Sequence, residues 1–134
     1  MEVAIMGKNR KGVPAGMKHC TVHSKIWIED EHGHVVFGEG RYRILEAVDR
    51  MQSLQKAAAE LKMSYRAVWG RIKASEERLG KALVAREGRG SCLTPYAVDL
   101  MTRYQELQKR IRQEADAAFD GFRAAQESRT PTAD

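Results

Sequence analysis

The sequence contains few cysteines and no run of residues long and apolar enough to cross a membrane. Cys20 and Cys92 lie far apart and form no CxxC pair, which argues against a disulfide scaffold and against a zinc ribbon. No stretch approaches about 18 consecutive apolar residues, and the N-terminus lacks the apolar run of a signal peptide. We therefore expect a cytoplasmic protein with reduced thiols and no membrane partner.

The motifs of common enzymes are missing as well. There is no GxGxxG, GxSxG or HExxH motif. Glu76 and Glu77 are adjacent on a predicted helix, so their carboxylates do not face each other as an acid–base pair. We expect no catalytic residue, no cofactor and no enzymatic activity.

Positive charge is concentrated in the middle of the chain. The net charge of the 134 residues is +5, and residues 41–92 alone contain twelve Lys and Arg against six Asp and Glu. Residues 1–40 are balanced, and residues 93–134 carry one net negative charge. Such a local basic excess is typical of a protein that binds a polyanion, although a solvated basic surface would show the same composition.

Hydrophobic periodicity and turn residues predict a mainly α protein with small β-hairpins, an α+β fold. The expected elements are a hairpin over 24–37, helices over about 41–52, 54–62 and 65–79, a short hairpin over 83–94, and a helix from Pro95 to about 125. Ser53 and Ser64 are suitable N-caps, and Gly80 is suited to end the third helix. The predicted segments are a flexible arm (1–20), a winged helix-turn-helix domain (21–94), a dimerisation helix (95–126) and a flexible tail (127–134).

The winged helix-turn-helix consists of the second and third predicted helices and the basic hairpin that follows them. The major groove of DNA, about 12 Å wide, admits one helix, and the preceding helix braces it. Small residues suit such a brace, and Ala57-Ala58-Ala59 supplies them. We therefore predict that the third helix recognises duplex DNA and that the hairpin is the wing.

The outward face of the third helix carries most of the predicted DNA contacts. Arg66, Gly70 and Lys73 recur at helical spacing opposite the apolar stripe. Arg66 lies near the end that enters the groove in helix-turn-helix proteins, and its planar fork matches guanine. The full predicted set is Ser64, Tyr65, Arg66, Gly70, Arg71 and Lys73 on the helix, with Arg86 and Arg89 on the wing.

The roles that we expect of these residues differ. Ser64 donates to a phosphate at the positive end of the helix dipole. Tyr65 either stacks on the DNA or is half-buried, and Gly70 allows a close approach of the helix backbone to the DNA. The basic residues other than Arg66 bind phosphates. Trp69 is expected in the core, where the helix meets the hairpin.

Part of this sequence resembles a known family. The segment 53–97 is similar to the N-terminal domain of ModE-type molybdenum-dependent regulators and, more distantly, to LysR-type regulators. The segments 25–30 and 37–41 resemble the ModE-type domain and not the LysR type. The strongest elements are Ala57-Ala58, Leu61, Met63-Ser64-Tyr65-Arg66, Ala67, Trp69, Leu79-Gly80, Leu83-Val84, Arg86 and Leu93-Thr94.

The resemblance implies a dimeric winged-helix protein that represses or activates genes. ModE regulators of the full-length kind bind molybdate in C-terminal β-rich domains, whereas this chain ends soon after its predicted long helix. We therefore expect that this chain does not bind molybdate.

The last helix is expected to form a homodimer. Its apolar residues step by three or four positions along a helix of about 45 Å, which is more than one small domain covers. Pairing with a second copy would allow two recognition helices to read a palindromic operator. The stripe consists of Leu100, Tyr104, Leu107, Ile111, Ala115, Ala118 and Phe122.

Two alternatives stay open at this point. The scaffold could serve as a dimeric adaptor without sequence-specific DNA binding, and salt-dependent binding to duplex DNA would separate the two functions. A metal site is the second possibility, although the spacing fits no zinc finger and exposed histidines explain the pattern equally well. The residues concerned are His19, Cys20, His23, His32 and His34.

Overall fold

The computed structural model describes residues 16–128. The elements in chain order are the strands β1 (Trp27–Glu29) and β2 (Val35–Gly38), the helices α1 (Glu39–Met51), α2 (Leu54–Glu60) and α3 (Tyr65–Leu79), the strands β3 (Val84–Glu87) and β4 (Gly90–Leu93), and the helix α4 (Pro95–Ser128). β1 pairs with β2 and β3 with β4, both antiparallel, in two separate sheets. This architecture confirms the predicted winged helix-turn-helix with a long C-terminal helix.

The helix ends lie where the capping residues predict them. The hydroxyl oxygens of Ser53 and Ser64 accept hydrogen bonds from main-chain N–H groups three residues later, at 3.1 and 3.0 Å. Gly80 has a φ of +69°, a left-handed conformation that ends α3 at low steric cost. The Thr94 hydroxyl caps the first turn of α4 in the same way as the two serines, at 3.1 Å.

Some boundaries differ from the prediction. α1 begins at Glu39, because extended Gly38 serves as its N-cap instead of ending the strand in a loop. α4 continues to Ser128, beyond the predicted end near 125. Residues 1–15 of the predicted arm and 129–134 of the predicted tail lie outside the described residues.

The chain divides into two compact units. Residues 25–109 form one, and the described parts of the other are residues 16–24 and 110–128. In the second unit the Arg123 guanidinium donates to the carbonyl oxygens of Met17, Lys18 and Cys20, at 3.3, 3.5 and 3.3 Å. It also lies over the Phe119 ring, 5.1 Å from the centroid. Residues 17–20 of the predicted flexible arm are therefore held against α4.

The helix-turn-helix of the larger unit has its own apolar core. Ala57 and Ala58 are buried, as a closely packed brace requires, and Ala59 is exposed. Val68 and Ile72 contribute the buried side of α3. The complete cluster comprises Ile44, Ala47, Val48, Leu54, Ala57, Ala58, Val68 and Ile72.

A second cluster of the same unit corrects the expectation for Tyr104, which the sequence pattern assigns to a dimer interface. Tyr104 is only 2% exposed. Its ring packs edge-on against Phe37 at 5.1 Å, and its hydroxyl donates to the carbonyl oxygen of Ile26 at 3.0 Å. Both its apolar surface and its hydroxyl are satisfied within one protomer. Leu100 packs partly buried against the same cluster, so the first two turns of the predicted stripe belong to the core.

Candidate nucleic-acid interface

A tight turn presents α3 at the surface of the larger unit. The Met63 N–H donates to the carbonyl oxygen of Ala58 at 2.9 Å, and Lys62 takes a left-handed φ of +57°. The Met63 side chain packs against the helical core. The turn is thus tied to α2 on one side, and the first residues of α3 emerge on the other.

The N-terminal end of α3 is accessible. Ser64, Tyr65 and Arg66 are all exposed. The Ser64 oxygen caps the helix, which leaves its hydroxyl hydrogen free to donate to another group. Tyr65 is 49% exposed, so about half of its surface is accessible to a ligand.

Gly70 lies further along the same exposed face. A methyl group at this position would meet no heavy atom within 4 Å. The packing of the chain therefore does not require glycine, although glycine within a helix costs about 1 kcal/mol relative to alanine. The space in front of this part of α3 is open.

The prediction that Trp69 lies in the core is wrong, because its side chain is 41% exposed. The Lys73 ammonium lies over its ring, 4.8 Å from the centroid. Lys73 also pairs with Glu76 at 3.1 Å. Trp69 adjoins Val68 at the edge of the buried stripe, where helical periodicity alone does not decide between core and surface. The exposed surface of α3 therefore includes an aromatic ring among its basic residues.

The Glu76 carboxylate joins α3 to the wing. It accepts hydrogen bonds from the main-chain N–H groups of Leu83 and Val84, at 2.7 and 3.2 Å. Its partial burial opposes ionisation, but these two hydrogen bonds and the nearby Lys73 ammonium outweigh burial and lower the pKa of Glu76 below its ordinary value. The side chain thus holds the start of β3 against the recognition helix.

The wing is a regular two-stranded hairpin. In its register Arg86 faces Ser91 and Glu87 faces Gly90, so Gly88 and Arg89 form the tip. Arg86 and Arg89 are both exposed. Gly90 is required by packing, because a Cβ atom there would lie 2.3 Å from the carbonyl oxygen of Gln52 at the end of α1. The Ser91 N–H donates to the same carbonyl oxygen at 3.1 Å, which ties β4 to the end of α1.

On another side of α3, arginines meet the first hairpin. The Arg41 guanidinium donates to the Ser75 hydroxyl at 2.7 Å, and that hydroxyl donates to the carbonyl oxygen of Val36 at 2.7 Å. Arg78 donates to the carbonyl oxygen of Val35. Arg71 is exposed, and its only hydrogen bond among the described residues is a long one to the Met63 sulfur at 3.8 Å. Arg41 and Arg78 were not identified from the sequence, because only the fold brings β2 beside α3.

The residues predicted for dimerisation fall into three groups. Leu100 and Tyr104 are core residues, as described above. In the larger unit Leu107 is 41% exposed, and in the smaller unit Phe122 is 52% exposed. Ile111 and Ala115 are partly exposed, and Ala118 is exposed. A shorter set of apolar residues is thus available on α4.

The described histidines do not assemble into a metal site. Within residues 16–128, no group of three or more His, Cys, Asp or Glu side chains is arranged to hold a metal ion. The main-chain N–H groups of His32 and His34 both donate to the Asp30 carboxylate at 2.9 Å, which closes the turn of the first hairpin. In the same part of the chain, no helix is long and apolar enough to span a membrane.

The central segment of the chain matches the sequence model of a known protein family. Residues 40–98 match the model of the bacterial regulatory helix-turn-helix proteins of the lysR family. The matched segment, which is less than half of the chain, is similar to a LysR-type helix-turn-helix DNA-binding domain. The match contains α1, α2, α3, the wing and the start of α4, and it confirms the prediction of a sequence-specific DNA-binding transcriptional regulator. No curated protein matches the chain.

Several solved structures are similar to parts of the chain. A complex of the BenM DBD with benA site 1 DNA is 26% identical, with a TM-score of 0.48, over 60% of this chain and 91% of that one. A CbnR DBD–DNA complex is 28% identical, with a TM-score of 0.45, over 65% of this chain and 95% of that one. A LysR-family transcriptional regulator from Eggerthella lenta is 26% identical, with a TM-score of 0.44, over 52% of this chain and 99% of that one.

Proposed function

We propose that this regulator binds a palindromic duplex operator as a homodimer, with α3 of each protomer in the major groove. The observation that carries the proposal is the exposed surface of α3, which combines an arginine near its N-terminus with open space at Gly70 and a basic wing beside it. A helix in the major groove reads base edges with its first residues. Arg66 therefore reads a guanine, and Ser64 donates to a phosphate.

The remaining predicted residues bind the backbone or pack against it. Lys73 reaches a phosphate by leaving Glu76, because the Lys73 side chain is about half exposed and water competes for its ammonium. Trp69 and Tyr65 offer apolar surface to sugars or to thymine methyl groups. Arg71, Arg86 and Arg89 bind phosphates on the flanks of the recognition helix.

Dimerisation uses the apolar residues of α4 that remain accessible. Phe122 and Leu107 are large exposed apolar side chains, which favours burial against a partner. Two-fold pairing would set the recognition helices about 34 Å apart, one turn of DNA. The interface that we propose omits Leu100 and Tyr104 and consists of Leu107, Ile111, Ala115, Ala118 and Phe122.

The first hairpin supports a narrower class of regulator. β1 and β2 precede the segment matched by the LysR family, and their sequence resembles the ModE-type domain. We therefore assign the chain to a ModE-like subgroup of these domains. A regulator of bacterial genes acts where the chromosome is, so we place the protein in the cytoplasm.

Sedimentation at micromolar concentration tests the dimer. We expect twice the 15.1 kDa mass of the chain for the wild type. Leu107→Asp combined with Ile111→Asp should give a folded monomer that loses operator affinity, because it forfeits the linked second half-site. Arg103 is an exposed, ion-paired residue of α4. The variant Arg103→Gln is the control and should remain dimeric. A wild-type chain that sediments only as a monomer would refute the dimer and the palindrome together.

A further inference from the structure

Three arginines of the larger unit carry charge that no carboxylate of residues 16–128 neutralises. Arg41, Arg71 and Arg78 form no salt bridge with any other described residue. Burial of the Arg41 guanidinium and the positive charges of Arg78 and Arg71 lower the pKa of Arg41, so both neighbours are close enough to Arg41 to repel it. Glu39, the acid of α1 nearest to Arg41 in the sequence, pairs instead with Arg43 at 3.5 Å.

The positions of these arginines are fixed by the hairpin that precedes the family match. Arg78 is bonded to the β2 backbone, and Arg41 reaches it through buried Ser75. Two of the three guanidinium groups are thus anchored at one end, so little side-chain freedom remains to be lost when they bind a ligand. Such an arrangement, in which two like charges act on one anchored guanidinium, favours an anionic ligand that relieves the repulsion.

The cluster and the wing lie on different flanks of α3. Successive residues of a helix are about 100° apart, so Arg78 and the wing-binding Glu76 project about 200° apart. Arg71 and Arg78 are seven positions apart and therefore project in nearly the same direction. The face that contains Arg66 and Gly70 lies between these two flanks. A helix seated in the major groove has a phosphate backbone on each side of it.

We propose that Arg41, Arg71 and Arg78 form a second phosphate-binding surface that holds the DNA backbone on the side of the groove opposite the wing. This proposal rests on the proposed placement of α3 in the major groove. It assigns a function to the first hairpin, which positions two of the arginines although it lies outside the segment matched by the LysR family. Arg71 and Arg78 provide the exposed contacts, and half-buried Arg41 adds charge behind them.

The test measures the salt dependence of binding to a duplex that the wild-type protein selects from a random pool, and to a scrambled duplex. Each neutralised phosphate contributes about one unit to the slope of log affinity against log salt. We expect Arg71→Gln and Arg78→Gln each to lower the slope by about one unit on both duplexes. Arg78→Lys, which keeps the charge, should keep the slope. Arg103→Gln removes an ion-paired charge on α4 and should also leave the slope unchanged.

Phosphate ethylation interference gives the position of the contact. Ethylation at one set of phosphates should weaken DNA binding by the wild type. The same ethylation should have no effect on binding by the double variant Arg71→Gln, Arg78→Gln. The phosphates at which ethylation loses its effect in Arg86→Gln should form a separate set on the other side of the half-site. If the wild type prefers its selected duplex but the Arg71 and Arg78 variants keep the wild-type slope, this inference is wrong and the proposed function stands. If the wild type binds no duplex preferentially, both are wrong.

Discussion

The Glu76 carboxylate accepts a hydrogen bond of 2.7 Å from the main-chain N–H of Leu83, which makes one side chain of the recognition helix the attachment point of the wing. The same carboxylate oxygen accepts from the next N–H, and the other oxygen pairs with Lys73. The orientation of the wing is therefore coupled to the recognition helix and not only to the core beneath it.

Replacing Glu76 by glutamine should destabilise the protein by about 1–2 kcal/mol at neutral pH, because hydrogen bonds to a charged acceptor are stronger than those to an amide. Because the pKa of Glu76 is lower in the folded state, its ionised carboxylate stabilises the fold. This stabilisation is fully present at a pH above the ordinary pKa of 4.5 and is lost as the pH falls through the lowered pKa. Urea unfolding at neutral and acidic pH should show the difference between wild type and variant shrinking in acid.

Glu77→Gln is the matched control, since Glu77 is the exposed neighbour of Glu76 on the same helix. It should leave stability within about 0.5 kcal/mol of the wild type. Equal stabilities of Glu76→Gln and Glu77→Gln at neutral pH would show that Glu76 does not hold the wing.

Gly70→Ala should have opposite effects on folding and binding. The added methyl group meets no atom of the chain, so the variant should be more stable by about 0.5–1 kcal/mol. If the DNA backbone approaches this face closely, the methyl group should weaken operator binding. Thermal unfolding and a DNA titration of the same preparation measure the two effects.

Gly121→Ala serves as the control for Gly70→Ala. It also lies within a helix and in open space, so it should stabilise the protein similarly without weakening DNA binding. Unchanged operator affinity in Gly70→Ala would mean that the DNA does not come close to this part of α3.

Arg66→Ala should lower specific affinity by about 1–3 kcal/mol and relax the preference at one position of each half-site. The reason is that a guanidinium fork reads guanine with two hydrogen bonds. Competition binding against duplexes substituted at every position would locate the lost preference. Arg66→Lys should retain part of the affinity but not the preference. A uniform loss over all sequences would instead assign Arg66 to the phosphate backbone.

Arg86 and Arg89 on the wing are expected to contact phosphates and not bases. Loss of either charge should weaken binding to all duplexes alike and reduce the salt slope by about one unit. Arg89 forms the tip with Gly88, and Arg86 lies opposite Ser91 in the strand pair. A loss confined to particular base pairs would indicate that the wing reads sequence in a groove.

The helices, caps and turns could be predicted because their signals are local. Ser53 and Ser64 act within one turn of helix, and Gly80 acts on its own backbone. The side chains that depend on distant neighbours could not be predicted. Tyr104 and Leu107 share one apolar stripe, and the former is buried because Phe37 and Tyr42, both far away in the sequence, pack against its ring. The link from Glu76 to the wing likewise requires β3 to fold back on α3.

In the candidate interface, too, the residues with local signals could be predicted and those that depend on distant contacts could not. The basic residues of α3 and of the wing tip follow from a helical repeat and a glycine-rich turn. Trp69 lies at the edge of the buried stripe, where a helical pattern gives no preference for core or surface. Arg41 becomes part of a charged cluster only because Ser75 connects it to β2. Contacts between elements far apart in the sequence left no signal in its periodicity.

The most direct test of sequence-specific recognition by α3 is an equilibrium titration of the wild-type protein. It is carried out at about 0.15 M salt with two duplexes of equal length and composition. One is the sequence that the protein enriches from a random pool, and the other is its scrambled form. We expect the enriched duplex to be palindromic and to bind at least about a thousand-fold more tightly than the scrambled one. Equal affinity for the two duplexes would contradict sequence-specific recognition by α3.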